Sequence, residues 1–228
     1  MRKIVVFIAV SLLIFSCKTQ KKEKITGLIT QKAMVVSARE EVSKIAVSIL
    51  KKGGNAFDAM VATELALAIA YPFAGNLGGG GFMVYRKKDG EIGALDYREK
   101  APLAATKNMY LDENGQVIPN KSILGAMAVG VPGTIAGVFA THKKFGTLPI
   151  SEILQPVIEL AKKGVRVTKK QEKRLKNYQP LFLKANKDSI LFSKNWKEND
   201  TIKYPSLSET LIRIQKNGKE QHGNGLVR

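Results

Sequence analysis

The segment from Ala56 to Ala70 restricts the fold of this chain more than any other. It is apolar on nearly every face, and a helix of that kind is stable only when packed on all sides. Asn55 is a suitable N-cap, Asp58 falls in the first helical turn, and Pro72 ends the apolar run. The sequence therefore predicts a central buried helix surrounded by other elements.

The flanking sequence supplies candidates for those elements. Two strand-like runs, 82–86 and 92–97, flank Asp89-Gly90 and predict a β-hairpin with Arg98 at the far end of its second strand. Helical spacing or helix signals predict helices around residues 42–52, 134–145, 151–163 and 168–177, and a strand over 34–38. The pattern Ser206-x-x-Glu209 predicts a capping box at the start of a last helix.

Four consecutive glycines, Gly78, Gly79, Gly80 and Gly81, lie between the apolar helix and the hairpin. Glycine is needed where the backbone takes a positive φ or approaches another group closely. A nucleotide phosphate cradle is disfavoured, because no Walker lysine follows and the order is helix to strand. A loop without side chains that lines a substrate pocket, or one required only by tight packing, remains open.

Arg98 is the second candidate for a functional residue. Its planar guanidinium can bind a carboxylate through two parallel hydrogen bonds, which a lysine cannot do. From composition alone, a surface ion pair is the more common role of such a residue. The sequence leaves both interpretations open at this point.

The N-terminal residues predict export. Arg2 and Lys3 precede an apolar run over residues 4–15, which is shorter than the roughly 20 residues that a bilayer span needs. Ser16 then precedes Cys17, the only cysteine, as in the lipobox of bacterial lipoproteins; an ordinary signal peptide is the alternative. We expect a signal peptide over 1–16, a lipidated Cys17 with a flexible tether over 17–31, and a membrane-anchored lipoprotein of the cell envelope facing the periplasm or exterior.

The formal net charge of +18 favours an anionic partner. Between residues 162 and 187 there are ten lysines or arginines and one acid, Glu172, with no interleaved arginine and aromatic pattern. A solvated basic face is the simplest interpretation, and nucleic acid is not expected as a partner. A non-catalytic lipoprotein that binds anionic envelope polymers through this face is an alternative function.

Four sequence blocks resemble gamma-glutamyltranspeptidases in content and order. They are ILKKGGNAFDA (49–59), YPFAGNLGGGGFM (71–83), LDYREKAP (95–102) and GVPGTIAG (130–137), within a region spanning 32–219. The resemblance implies an α/β (α+β) chain that forms the large-subunit half of a four-layer αββα N-terminal-nucleophile hydrolase. It also implies that Arg98 binds the α-carboxylate of the γ-glutamyl group, that glutathione is a substrate, and that neither a metal nor an organic cofactor is used.

In that family the nucleophile is the N-terminal threonine of a small subunit released by self-cleavage. We expect no catalytic nucleophile within these 228 residues, because Thr141-His142 lies inside a predicted helix and lipidation would block Cys17. The last residues, 220–228, depart from the family pattern and read as an atypical tail. The chain alone is therefore expected to be inactive, and an inactive fragment that does not fold stably is a further alternative.

Overall fold

The computed structural model describes residues 27–186 and 188–218. The chain divides after Met34 into two compact units. The described part of the first, residues 27–34, contains no helix or strand, and the second unit holds all elements named below. Within the described ranges, no helix combines the length and apolar character needed to cross a membrane.

The second unit is mainly helical. Its described residues form six α-helices: α1 (Glu40–Lys51), α2 (Ala56–Ala70), α3 (Thr134–Phe145), α4 (Ile150–Lys163), α5 (Lys169–Ala185) and α6 (Pro205–Asn217). Short 3-10 turns cover Ala126–Ala128 and Leu191–Ser193. Four strands form two antiparallel pairs, β1 (Phe82–Arg86) with β2 (Ile92–Asp96) and β3 (Val165–Arg166) with β4 (Thr201–Ile202). The α+β class expected from the sequence is confirmed.

Helix α2 is the centre of the hydrophobic core, as its apolar sequence predicts. It packs against α1, α3 and α4. Its side chains at Val61, Ala62, Leu65, Ala66 and Ile69 are almost completely buried, on several faces of the helix. Such a helix has no polar stripe to present to solvent, so its neighbours must surround it.

The N-terminus of α2 also anchors the loop that follows α3. The side chain of Asn55 accepts hydrogen bonds from the backbone N–H groups of Phe57 and Asp58, which confirms the predicted cap. The carboxylate of Asp58 is fully buried and accepts from the backbone N–H groups of Asn55, Thr147 and Leu148 and from the Thr147 hydroxyl. One buried acid therefore joins two segments that are distant in sequence.

The β1–β2 hairpin is paired in the register Phe82 to Asp96 and Val84 to Ala94. Gly90 takes a positive φ of 92° in the turn, as the Asp89-Gly90 signal predicts. One face packs inward through Met83, while Phe82 and Val84 on the other face are exposed. The hairpin thus presents an apolar face that no described residue covers.

Three local predictions were wrong. Residues 34–38 form no strand, because no described segment pairs with them. Ser206 makes no cap, since α6 already begins at Pro205 with Tyr204 as its N-cap. Helix α5 runs to Ala185 rather than ending near residue 177, and it continues through Pro180.

Candidate functional site

The glycine loop lies directly against the end of strand β2. A Cβ atom placed on Gly80 would lie 2.6 Å from Arg98 Cα and 2.7 Å from the Tyr97 carbonyl oxygen. One placed on Gly81 would lie 2.7 Å from the Tyr97 ring, and the Gly81 carbonyl accepts a hydrogen bond from the Tyr97 N–H at 3.0 Å. The loop needs glycine at these positions because any side chain would overlap the backbone or ring of the strand end.

Gly78 does not share this constraint. A Cβ atom at Gly78 would meet nothing within 4 Å, and none of the four glycines adopts the left-handed conformation. Close packing therefore accounts for Gly79, Gly80 and Gly81, and it does not account for Gly78. Tight packing is therefore observed for most of the loop, and the loop's contribution to a substrate pocket remains a prediction.

Asn76 connects the loop to the start of helix α3. Its Oδ1 accepts hydrogen bonds from the Gly79 N–H at 2.9 Å and from the buried Thr134 hydroxyl at 2.5 Å. The Gly79 carbonyl in turn accepts from the N–H groups of Gly133 and Thr134 at 2.7 and 3.1 Å. These bonds satisfy donors at a helix N-terminus and fix the loop to α3.

Tyr97 is enclosed between the glycine loop and helix α3. A Cβ atom on Gly137 would overlap its ring, and one on Gly133 would overlap its carbonyl oxygen. Burial, together with the nearby negative charge of Glu64, raises the pKa of Tyr97 to about 12. Tyr97 is therefore a neutral packing residue at physiological pH, and it holds its neighbour Arg98 in position.

A cleft of about 290 Å³ opens beside these residues. Its lining includes Tyr97, Arg98, Pro132, Gly133 and Gly137. This volume is just below the range of small-molecule sites, roughly 300–1,000 Å³. The cleft is large enough for an amino-acid-sized group.

The Arg98 side chain projects from this cleft towards solvent. It is 63% exposed, its Cζ atom lies 5.5 Å from the centre of the Phe82 ring, and its Nε lies 3.5 Å from a Glu99 carboxylate oxygen. Its backbone N–H is held by the Asp96 carboxylate at 2.9 Å. Since the single ion pair is long and exposed, most of the guanidinium donors are free to bind an anion.

The other sequence candidates are distributed differently. Cys17 and residues 220–228 lie outside the described residues. Thr141 is buried inside α3 with its hydroxyl 3.8 Å from the Met83 sulfur, and His142 Nε2 donates to the Leu148 carbonyl at 2.8 Å. Both side chains have structural partners and belong to helix α3, so neither residue is at a chain end as an N-terminal nucleophile would be.

Sequence reasoning missed two residues that organise the site. Asn76 and Thr134 are parts of the sequence blocks above but were not predicted as site residues. The Thr134 hydroxyl donates to the Asn76 side chain, which also accepts from the Gly79 N–H of the loop. An asparagine two residues before a glycine run and a threonine directly after Pro-Gly were the available signals. Among the described residues, no cluster of His, Cys, Asp or Glu could hold a metal ion.

Comparison with known proteins decides the family. The family model described as Gamma-glutamyltranspeptidase matches residues 42–225. The chain belongs to the gamma-glutamyltranspeptidase family. It is 46% identical over 191 residues to the glutathione hydrolase proenzyme of Pseudomonas aeruginosa, which covers 84% of this chain and 34% of that protein.

Solved gamma-glutamyltranspeptidase structures show the same fold. The Helicobacter pylori enzyme superposes with a TM-score of 0.82 at 41% identity, covering 86% of this chain and 57% of that one. The Pseudomonas nitroreducens enzyme, solved in complex with L-DON, gives 0.81 at 44% identity, covering 86% and 58%. The chain spans about a third of the length of the curated gamma-glutamyltranspeptidase relatives it matches.

Proposed function

We propose that this chain supplies the carboxylate-binding side of an enzyme that transfers or hydrolyses γ-glutamyl groups, with glutathione as one donor. The observation that carries the proposal is the position of Arg98. Its backbone is packed on Gly80, and its guanidinium extends beside a cleft with most of its donors free. A planar guanidinium group at the end of a rigid strand can bind an α-carboxylate through two parallel hydrogen bonds.

The chemistry divides between two polypeptide regions in this proposal. A threonine at a newly formed N-terminus attacks the γ-glutamyl carbonyl, and its own α-amine takes the hydroxyl proton. The γ-glutamyl amide bond then breaks, the amine of the donor leaves with that proton, and the γ-glutamyl group stays on the threonine oxygen as an acyl-enzyme. Water or an amino acid then accepts the γ-glutamyl group. Arg98 holds the far end of the donor throughout, so that the carbonyl meets the nucleophile in a fixed orientation.

Two observations support a second region as partner. The outer face of the β1–β2 hairpin exposes Phe82, Val84 and Ile92, an apolar surface that favours association with another layer. The curated Pseudomonas aeruginosa relative is named a proenzyme, and this chain corresponds to 34% of it. We propose that a small subunit covers this face and contributes the threonine.

Calorimetric titration of the purified chain with L-glutamate tests the proposal. Arg98→Ala is expected to abolish binding and Arg98→Lys to weaken it, while Arg86→Ala, at the opposite end of the hairpin, leaves it unchanged. Binding that survives Arg98→Ala contradicts the proposed role. A salt-sensitive association with anionic polymers that is independent of Arg98 would instead support the non-catalytic envelope-binding alternative.

We also propose that the protein is anchored to the cell envelope by lipid at Cys17 and faces the periplasm or the exterior. The support is the sequence alone: a short apolar run that ends at Ser16 and Cys17. Mass spectrometry of the protein from the membrane fraction is expected to find an acylated Cys17 as the N-terminus. A soluble protein cleaved elsewhere, with a free thiol, contradicts this localisation.

A further inference from the structure

Helix α5 is attached to the core along one side only. Gln171 and Leu175 are buried, and Gln171 Nε2 donates to the Ala70 carbonyl at the end of α2 at 3.2 Å. Arg174 also faces this end of α2: its guanidinium lies 4.5 Å from the centre of the Phe73 ring and donates to the Tyr71 hydroxyl at 3.2 Å. These contacts fix which side of α5 faces outward.

The outward side of α5 carries the lysines. At about 100° per residue, the five lysines of the helix fall within an arc of roughly 120°. They are Lys169, Lys170, Lys173, Lys176 and Lys184, and none forms an ion pair with a carboxylate in the described part of the chain. The helix contains a single acid, Glu172, whose carboxylate accepts from the Glu198 N–H at 3.0 Å and lies 3.7 Å from the Lys197 ammonium. The lysine face is therefore uniformly positive.

Exposed apolar side chains border this face. Leu181 is 47% exposed and Leu183 is 52% exposed, and the same angular spacing places them on opposite edges of the lysine arc. Tyr178, also 47% exposed, does not border the lysine face: the same spacing places it about 80° outside the arc, and its ring lies 5.6 Å from that of Phe73. Lysines bordered by exposed leucines are typical of helices that lie on a membrane surface.

We propose that the lysine face of α5 docks on an anionic lipid bilayer, with Leu181 and Leu183 entering the headgroup region. Lysines attract anionic headgroups without requiring a fixed geometry, and their alkyl stems extend to the surface while the helix lies flat. Nucleic acid is the weaker alternative, because the one arginine of the helix is engaged with Tyr71 and Phe73 and aliphatic side chains contribute little to phosphate binding. This docking is independent of the proposed role of Arg98.

A single reporter on α5 tests the proposal in the full chain. Cys17 is the only cysteine, so a Cys17→Ser, Leu181→Cys chain can be labelled at residue 181 with a polarity-sensitive fluorophore. The labelled protein is titrated with phosphatidylglycerol vesicles and with neutral phosphatidylcholine vesicles. The fluorophore reports only the surroundings of residue 181. Binding of vesicles by the apolar N-terminal run would not depend on lipid charge, so it would not produce a fluorescence change specific to anionic vesicles.

Two variants are compared, each with five lysines replaced by glutamine, so that both lose the same positive charge. The first changes Lys169, Lys170, Lys173, Lys176 and Lys184 to Gln; the second changes Lys52, Lys88, Lys107, Lys143 and Lys216, all exposed and outside α5, to Gln. Far-UV circular dichroism and thermal unfolding verify that both variants remain folded. A label on Lys107→Cys in the otherwise unchanged Cys17→Ser chain shows whether the environment changes elsewhere.

The expected result is a saturable blue shift at residue 181 with anionic vesicles only. Each lysine near such a surface contributes about fivefold, so the α5 variant should bind at least a hundredfold more weakly. The control variant should change binding by only a few-fold. An equal shift with neutral vesicles, equal losses in both variants, or a response to duplex DNA without one to vesicles would overturn the proposal.

Discussion

Gly80 and Arg98 are in backbone contact across the junction of the glycine loop and strand β2. A Cβ atom on Gly80 would lie 2.6 Å from Arg98 Cα and 2.8 Å from the Arg98 carbonyl carbon. The position of the Arg98 backbone is therefore constrained by a residue that has no side chain of its own. Loop and strand form one rigid support, on which the proposed carboxylate site depends.

Gly80→Ala should destabilise the protein by about 1–3 kcal/mol, because the added methyl group meets backbone that must shift. The matched substitution Gly78→Ala should change stability by less than about 0.5 kcal/mol, since nothing lies within 4 Å of the new atom. Urea unfolding of both variants measures the difference. Equal effects at the two positions would show that the loop is not packed against Arg98 in this way.

Asp58→Asn should destabilise the fold by about 2–3 kcal/mol, since the buried carboxylate accepts from Asn55, Thr147 and Leu148 and an amide cannot accept from all of them. The comparison is Glu209→Gln, an exposed acid in α6 for which we expect almost no change. Thermal and chemical unfolding measure both. A neutral Asp58→Asn would contradict its role in joining α2 to the loop after α3.

Tyr204→Phe should leave stability at neutral pH unchanged or slightly increased. Of the described buried side-chain polar atoms, the Tyr204 hydroxyl is the one without a hydrogen-bond partner, and the residue is only 5% exposed. Removing an unsatisfied buried hydroxyl relieves a desolvation cost rather than breaking a bond. Chemical unfolding at pH 7 measures the effect, and a loss above about 1 kcal/mol would reveal a hydrogen bond that this account lacks.

Tyr204 also predicts a loss of stability at alkaline pH. Burial raises the pKa of Tyr204 to about 12, against the opposing charge of Arg39. Between pH 10 and 12 the unfolded chain therefore loses this proton while the folded chain keeps it, so this one group lowers stability by at most about 1.4 kcal/mol per pH unit. Tyr204→Phe should reduce this slope, whereas Tyr178→Phe, with an exposed ring, should not. Equal slopes in the two variants would contradict the assignment.

The chain by itself should release no chromogenic amine from a γ-glutamyl anilide. The proposal assigns the attacking threonine to another polypeptide region, and Thr141, within the described structure, is buried in mid-helix. A colorimetric assay at high protein concentration measures release against a buffer blank. Turnover by the pure chain that is abolished by substitution of one of its own residues would contradict the assignment.

Local sequence signals predicted the elements that hold the site. The buried helix α2 and its cap at Asn55 followed from a mainly apolar run with a polar start, and the hairpin followed from Asp89-Gly90. Both depend on contacts close in sequence, which periodicity and turn chemistry describe well. The end of β2, and so the position of Arg98, was predicted to within one residue.

What the sequence could not predict are contacts between distant segments. The hydrogen bond from Thr134 to Asn76 spans 58 positions, and the bonds from Thr147 to Asp58 span 89. The end of α5 was also missed, because packing of Phe182 against Phe192 favours helix beyond Pro180. The stabilisation from these contacts depends on tertiary packing, which a local sequence pattern does not encode.

The central claim is that the Arg98 guanidinium binds the α-carboxylate of a γ-glutamyl donor. NMR of the 15Nε–H resonances of arginine, assigned by their loss in Arg98→Lys, measures this directly during titration with L-glutamate and with 4-aminobutyrate, which lacks the α-carboxylate. Where a small subunit covers the site and desolvates the ion pair, loss of one partner costs about 2–5 kcal/mol, or about 30- to several thousand-fold in affinity. In the chain alone Arg98 is 63% exposed, so the difference in affinity between the two ligands is smaller and the resonance shift is the readout. The account predicts a saturable shift of the Arg98 resonance with glutamate alone; equal shifts with both ligands, or none at Arg98, would contradict it.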